Sequence, residues 1–166
     1  MRLLNQTGDT IVEVLIAITV VAAVLGGSYT VVNRTMANSR QAQEHAEALQ
    51  IANQQIELLT TLVADSGGSG DLYDGNPRYN CINEAARTFV PQHSLRAPSE
   101  GAGNYAAACR MTGPVGYRIA IECINGSNPC ATAAAGNKHF KVHVTWDSVT
   151  GDGNDQASLV YRPYQP

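Results

Sequence analysis

Glu13 is the residue whose surroundings most demand a chemical explanation. Residues 14–33, which follow it, contain no Asp, Glu, Lys, Arg or His. As a helix that run rises about 30 Å, the thickness of a bilayer hydrocarbon core. A carboxylate at the centre of such a span costs about 2.5–3.5 kcal/mol, less near the interface, and is usually found with a partner. Arg2 and Arg34, the nearest cationic residues, lie beyond two helical turns. The counter-charge of Glu13 must therefore come from outside this stretch.

The other candidates for chemistry lie towards the C-terminus. Cys81, Cys109, Cys123 and Cys130 all fall beyond the apolar run, in the part that is exported if the run crosses a membrane. An even count in an exported domain points to two disulfides, and four cysteines allow three connectivities. The short separation favours Cys123–Cys130, leaving Cys81–Cys109. A metal site has less support, because close Cys pairs and zinc-like His intervals are missing. His139 and His143 are two pleats apart on one side of a strand, about 13 Å at the backbone, and read as surface histidines. Asp147, Asp152, Asn154 and Asp155 crowd one hairpin and form a weak calcium set. Turn chemistry accounts for the same residues. Ser94, Ser148 and Ser158 sit in no nucleophile motif, and the Gly-rich stretches do not join a strand to a helix. No catalytic constellation emerges, so the chain reads as a non-enzyme needing no cofactor. A net charge of −3 gives no general affinity for nucleic acid.

The elements that would carry these residues follow from periodicity. No Pro or Gly interrupts residues 34–65. Ala42, Ala46, Leu49, Ala52, Ile56, Leu59 and Val63 recur at spacings of three and four, one face of a helix. Gln43, Gln50, Asn53, Gln54 and Glu57 take the opposite side. Ile51, Leu58 and Leu62 add a second stripe about 100° round. One stripe is expected to pack on the protein's own sheet, the other on a second contact. Gly26 and Gly27 mark either a bend or close helix packing. Gly67 is placed to cap the helix.

Residues 65–116 read as a long connection, in which Asn83 to Thr88 suggest a helical turn. A loop of that length needs a tether. Three stretches then alternate with period two: Tyr117 to Ile124, Phe140 to Asp147, and Ala157 to Arg162. Thr150, Gly151, Asp152, Gly153 and Asn154 form the hairpin turn between the last two, and Asn125, Gly126 and Ser127 form another turn. The fold class is α+β: a long N-terminal helix on a small antiparallel sheet of three strands, with a fourth from the loop.

The residues around Glu13 carry a resemblance. Gly8 precedes Asp9, Thr10, Ile11 and Val12, then Glu13, then Val14, Leu15, Ile16, Ala17 and Ile18. This segment resembles the N-terminus of type IV pilins and pseudopilins. There a prepilin peptidase cuts after the Gly of a short leader, and the fifth mature residue is Glu. The resemblance places cleavage between Gly8 and Asp9 and makes Glu13 that fifth residue. Asp9 stands where the family has Phe or Met, and Thr7 where it has a basic residue.

The match covers roughly the first 60 residues specifically; beyond them only the architecture is similar. It implies a leader (1–8), a transmembrane and assembly half of the helix (9–33), an amphipathic half (34–64) and an exported domain (65–166). That domain divides into a loop (65–116) and a sheet (117–166). It also implies N-methylation of Asp9, and partners comprising the prepilin peptidase, an assembly platform and further copies of itself or other pilins. Such a subunit is a single-pass cytoplasmic membrane protein before assembly and part of a cell-surface filament afterwards. The expected function is a structural pilin-like subunit. A pseudopilin or minor tip pilin of a secretion or DNA-uptake system is the nearest alternative, and a membrane-anchored surface binding protein that never polymerises is the alternative from another class.

Overall fold

The computed structural model describes residues 11–65, 78–125, 128–130, 138–149, 151 and 153–162. Gly8, Asp9, Gly67, Gly126, Ser127 and Asp152, all singled out in the sequence, lie outside the described residues. The chain forms helix α1 (Ile11–Asp65) and strands β1 (Tyr79–Asn83), β2 (Thr88–Pro91), β3 (Arg118–Asn125), β4 (Asn128–Pro129), β5 (Lys138–Asp147) and β6 (Asn154–Tyr161). It divides into two compact units, residues 1–40 and residues 41–166. The architecture is α+β, a long N-terminal helix packed on a small antiparallel sheet.

In the second unit the strands run antiparallel in the order β2-β1-β3-β5-β6, with the short β4 paired to the end of β3. The centre is β3 against β5, in register from Arg118↔Thr145 to Asn125↔Lys138. β5 and β6 form the hairpin expected from their Gly-rich turn, closing at Asp147↔Asn154. Gly151 (φ 77°) and Gly153 (φ 127°) adopt backbone conformations that a Cβ would strain.

Two expectations are corrected. Asn83 to Thr88 is not a helical turn but the reversal between β1 and β2. Asn83 Oδ1 accepts the N–H groups of Ala85 and Ala86, and Arg87 takes φ 49°. A short Asx-type turn wins here because Ile82 and Phe89 pair across it. The connection 65–116 therefore supplies two strands.

The second correction concerns α1. Its fully buried residues form a row made of Ala52 and Leu59, from the first expected stripe, with Ala48 and Gln55 beside them on the side of the second. Leu49, Ile56 and Val63 flank it on one side, Ile51, Leu58 and Leu62 on the other, and all six pack on the same core. Both stripes thus pack on one core, to which the connection contributes as well as the sheet. Ala42 and Ala46 are exposed.

The helix-facing side of the sheet carries Ile119, Ile121, Phe140, Val142, Val144 and Trp146, all buried. The opposite side is buried too, although it is polar: Arg118, Glu122, His143 and Thr145 are each at most 6% exposed. His143 is therefore not a surface residue, whereas His139 is half-buried. The connection also supplies Leu95, Tyr105 and Cys109 to the core, and the Tyr105 hydroxyl meets Thr145 Oγ1 at 3.2 Å.

Candidate functional site

The first unit is described by residues 11–40 of α1. Every large apolar side chain from Ile11 to Met36 is exposed; Ile11 is 80% and Leu25 65% accessible. A soluble monomer rarely shows so much contiguous apolar surface, and such a patch marks a contact with lipid or protein. α1 is long and apolar enough to cross a membrane and is a candidate membrane anchor. Four hydroxyls in this stretch bond back to carbonyls of their own helix. Thr19 donates to the Ile16 carbonyl, Ser28 to Val24, Thr30 to Gly27 and Thr35 to Val31, at 2.7–2.9 Å. Thr60 and Thr61, further along α1, bond back in the same way.

Glu13 sits in the first turn, where a carboxylate suits the helix dipole. Among the described residues it makes no ion pair. Gly26 and Gly27 lie in unbroken helix, and a Cβ added to either meets nothing within 4 Å.

In the second unit a polar clamp holds the helix to the sheet. The Tyr117 hydroxyl donates to Glu47 Oε2 at 2.9 Å and also reaches the Glu44 carbonyl at 3.2 Å. Trp146 Nε1 donates to Glu44 Oε2 at 3.1 Å, and the Trp146 ring meets His45 and Tyr117 edge-on. Burial, then the hydrogen bond to Glu47 and the nearby carboxylate charges, push the Tyr117 phenol well above its ordinary value. Strand alternation puts Tyr117 and Trp146 at apolar positions. The acidic pair three residues apart on the helix was the available signal.

Two disulfides pin the domain. Cys81–Cys109 ties β1 to the connection, and Cys123–Cys130 closes the end of β3. All four cysteines are buried. Asp147 and Asn154 come together, but around a guanidinium. Arg118 Nη1 donates to Asp147 Oδ1 at 2.7 Å and Nη2 to Asn154 Oδ1 at 2.9 Å, while Asn154 Nδ2 holds the Ser99 carbonyl. Asp155 pairs across from Trp146 and so takes the other face of the sheet.

A charged network crosses the sheet on the side opposite the helix. Arg78 Nε donates to Glu122 Oε1 at 2.6 Å. His143 Nε2 lies 3.5 Å from Glu122 Oε2, and Gln156 Nε2 contacts His143 Nδ1. Burial alone would raise the Glu122 carboxyl. His143 Nε2 at 3.5 Å and the hydrogen-bonded, charged Arg78 guanidinium outweigh burial and hold it below its ordinary value. Sequence alternation placed these side chains on one face but did not show that the face is covered.

No protein-family model, curated protein or solved structure matches this chain.

Proposed function

We propose that this protein is a structural subunit of the type IV pilin kind, anchored in a membrane and assembled through its N-terminal helix into a filament. The observation that carries the proposal is the helix of residues 11–32: uncharged but for one acid in the first turn, and with every large apolar side chain exposed. Its exposed apolar surface must be covered by lipid or by other helices. Cleavage after Gly8 would free an amine on Asp9. Glu13 of one subunit then neutralises the amine of the next, while the apolar helices pack together. Lipid is as apolar as the helix, so packing and this ion pair, not transfer from water, drive the exchange of lipid for neighbouring subunits. The disulfide-pinned sheet supplies the exported surface.

The test is to shear cells expressing the chain and examine the released material. Filaments containing the chain, with an intact mass lacking residues 1–8, support the reading. A full-length species confined to the membrane fraction, with no filaments, would overturn it in favour of an anchored surface protein.

A further inference from the structure

The two edges of the sheet are finished differently. One edge is β2, four residues long and ending in Pro91, whose nitrogen has no proton to offer a further strand. The other is β6, eight residues long, with no Pro, Gly, Lys or Arg, and in unbroken register with β5 from Asn154 to Tyr161. Short strands, prolines, lysines and bulges are the usual guards of an edge, and β6 has none of them.

The hydrogen bond from the Ser148 N–H to the Gly153 carbonyl, 2.9 Å, fixes which groups of β6 point outward. It makes Asp147↔Asn154 a non-hydrogen-bonded pair, and the two kinds of pair then alternate along the ladder. Asp155, Ala157, Leu159 and Tyr161 therefore bond to β5. Gln156, Ser158 and Val160 turn their N–H and C=O groups away from it, and no strand among the described residues meets them. All three are exposed, Val160 to 56%. On the helix-facing side Leu159 and Tyr161 are half-buried, although their partners Val142 and Phe140 are fully buried. The apolar layer thus runs out to an open edge.

The strand is complementary to itself. Antiparallel pairing with β6 of a second copy, centred on Ser158, sets Gln156 opposite Val160, Ala157 opposite Leu159 and Asp155 opposite Tyr161. Every residue from 155 to 161 then has a partner. Small meets large on the helix-facing side, and the only charge in the strand meets a phenol and not its own copy. Ser158 with Ser158, and Gln156 with Val160, become hydrogen-bonded pairs through the groups that point outward. Centring on Ala157 would instead set Asp155 against Leu159, and centring on Leu159 would carry Asp155 past the end of the strand. We propose that β6 is an association surface for a second copy of this chain, the two sheets joining into one about a two-fold axis at Ser158. No residue of the first unit takes part, so the proposal does not rest on assembly through the N-terminal helix.

Disulfide trapping in membranes containing the full-length chain tests the register. Facing Ser158 residues would have Cα atoms about 5.5 Å apart, within disulfide reach, whereas two copies of Gln156 or of Val160 would be about 14 Å apart. Ser158→Cys should therefore give a covalent dimer on mild oxidation. Gln156→Cys and Val160→Cys should each fail alone and succeed when co-expressed. Ser158→Pro removes an outward N–H and leaves the β5 ladder intact. Added to the Gln156→Cys and Val160→Cys chains, it should slow their trapping by about tenfold or more, with unchanged far-UV circular dichroism. Contact through the helices alone would bring the cysteines together without regard to register, so equal trapping at 156, 158 and 160 overturns the proposal. Absence of a Ser158→Cys dimer overturns it as well, and so does trapping of Ser158→Cys on a different protein in place of its own copy.

Discussion

Glu122→Gln isolates the network on the covered side of the sheet. The substitution keeps the shape and removes the charge. Glu122 is 6% exposed and is approached by Arg78 at 2.6 Å and His143 at 3.5 Å. The glutamine has one acceptor oxygen in place of two, so it can keep Arg78 or face His143, with its NH₂ turned towards the other donor. Arg78 then donates to a neutral acceptor, and His143 loses the carboxylate beside it. A bond to a charged group contributes about 1.5–3 kcal/mol. Arg78 is half exposed, and its share is reduced by solvent screening. The expected loss is therefore about 2 kcal/mol near neutral pH.

The pH dependence supplies the sharper check. The folded-state pKa of Glu122 is depressed below its unfolded value. Its contribution is therefore fully present above the unfolded value, about 4.3, and is lost as pH falls through the folded one. Urea denaturation of wild type and Glu122→Gln from neutral pH into acid should show a constant gap above about pH 5 that closes below it. A gap that persists or widens in acid would refute the reasoning, because the loss would then come from packing and not from the carboxylate.

Replacing Cys81 and Cys109 together by Ser should destabilise the domain by about 3–4 kcal/mol, against about 2–2.5 for Cys123 and Cys130. The separations of 28 and 7 residues set that order, and urea midpoints would decide it. Leu59→Ala should cost about 2–5 kcal/mol, since Leu59 is fully buried. Ala46→Ser, at an exposed position of a stripe read as buried in the sequence, should stay within about 0.5 kcal/mol in the same assay. Glu13→Gln should leave the urea midpoint of the exported domain unchanged and lower filament yield relative to membrane-bound subunit. An unpaired buried amine is costly, about 3–5 kcal/mol in soluble proteins. Normal filament yield would mean Glu13 is not the assembly contact.

Periodicity alone determined the elements that repeat a local rule. The apolar run after Glu13, the helical spacing of Leu49, Ile56 and Val63, and the alternation through β3, β5 and β6 are all legible because helix and strand expose side chains at fixed intervals. The Gly-rich β5–β6 turn was legible because positive φ favours glycine. What covers a face is not a local property. Arg118, Glu122 and His143 alternate as a solvent-facing row would, and only the path of the connection over the sheet puts them out of water. Only the tertiary fold set the two stripes of α1 on one core, with Ala48 and Gln55 between them. A stripe's position states which residues can meet a partner, whereas the partner's shape decides how wide the contact becomes. Asp147 and Asn154 looked like ligands for a cation, and a cation does meet them: the guanidinium of Arg118, brought 29 and 36 residues through the chain by strand pairing.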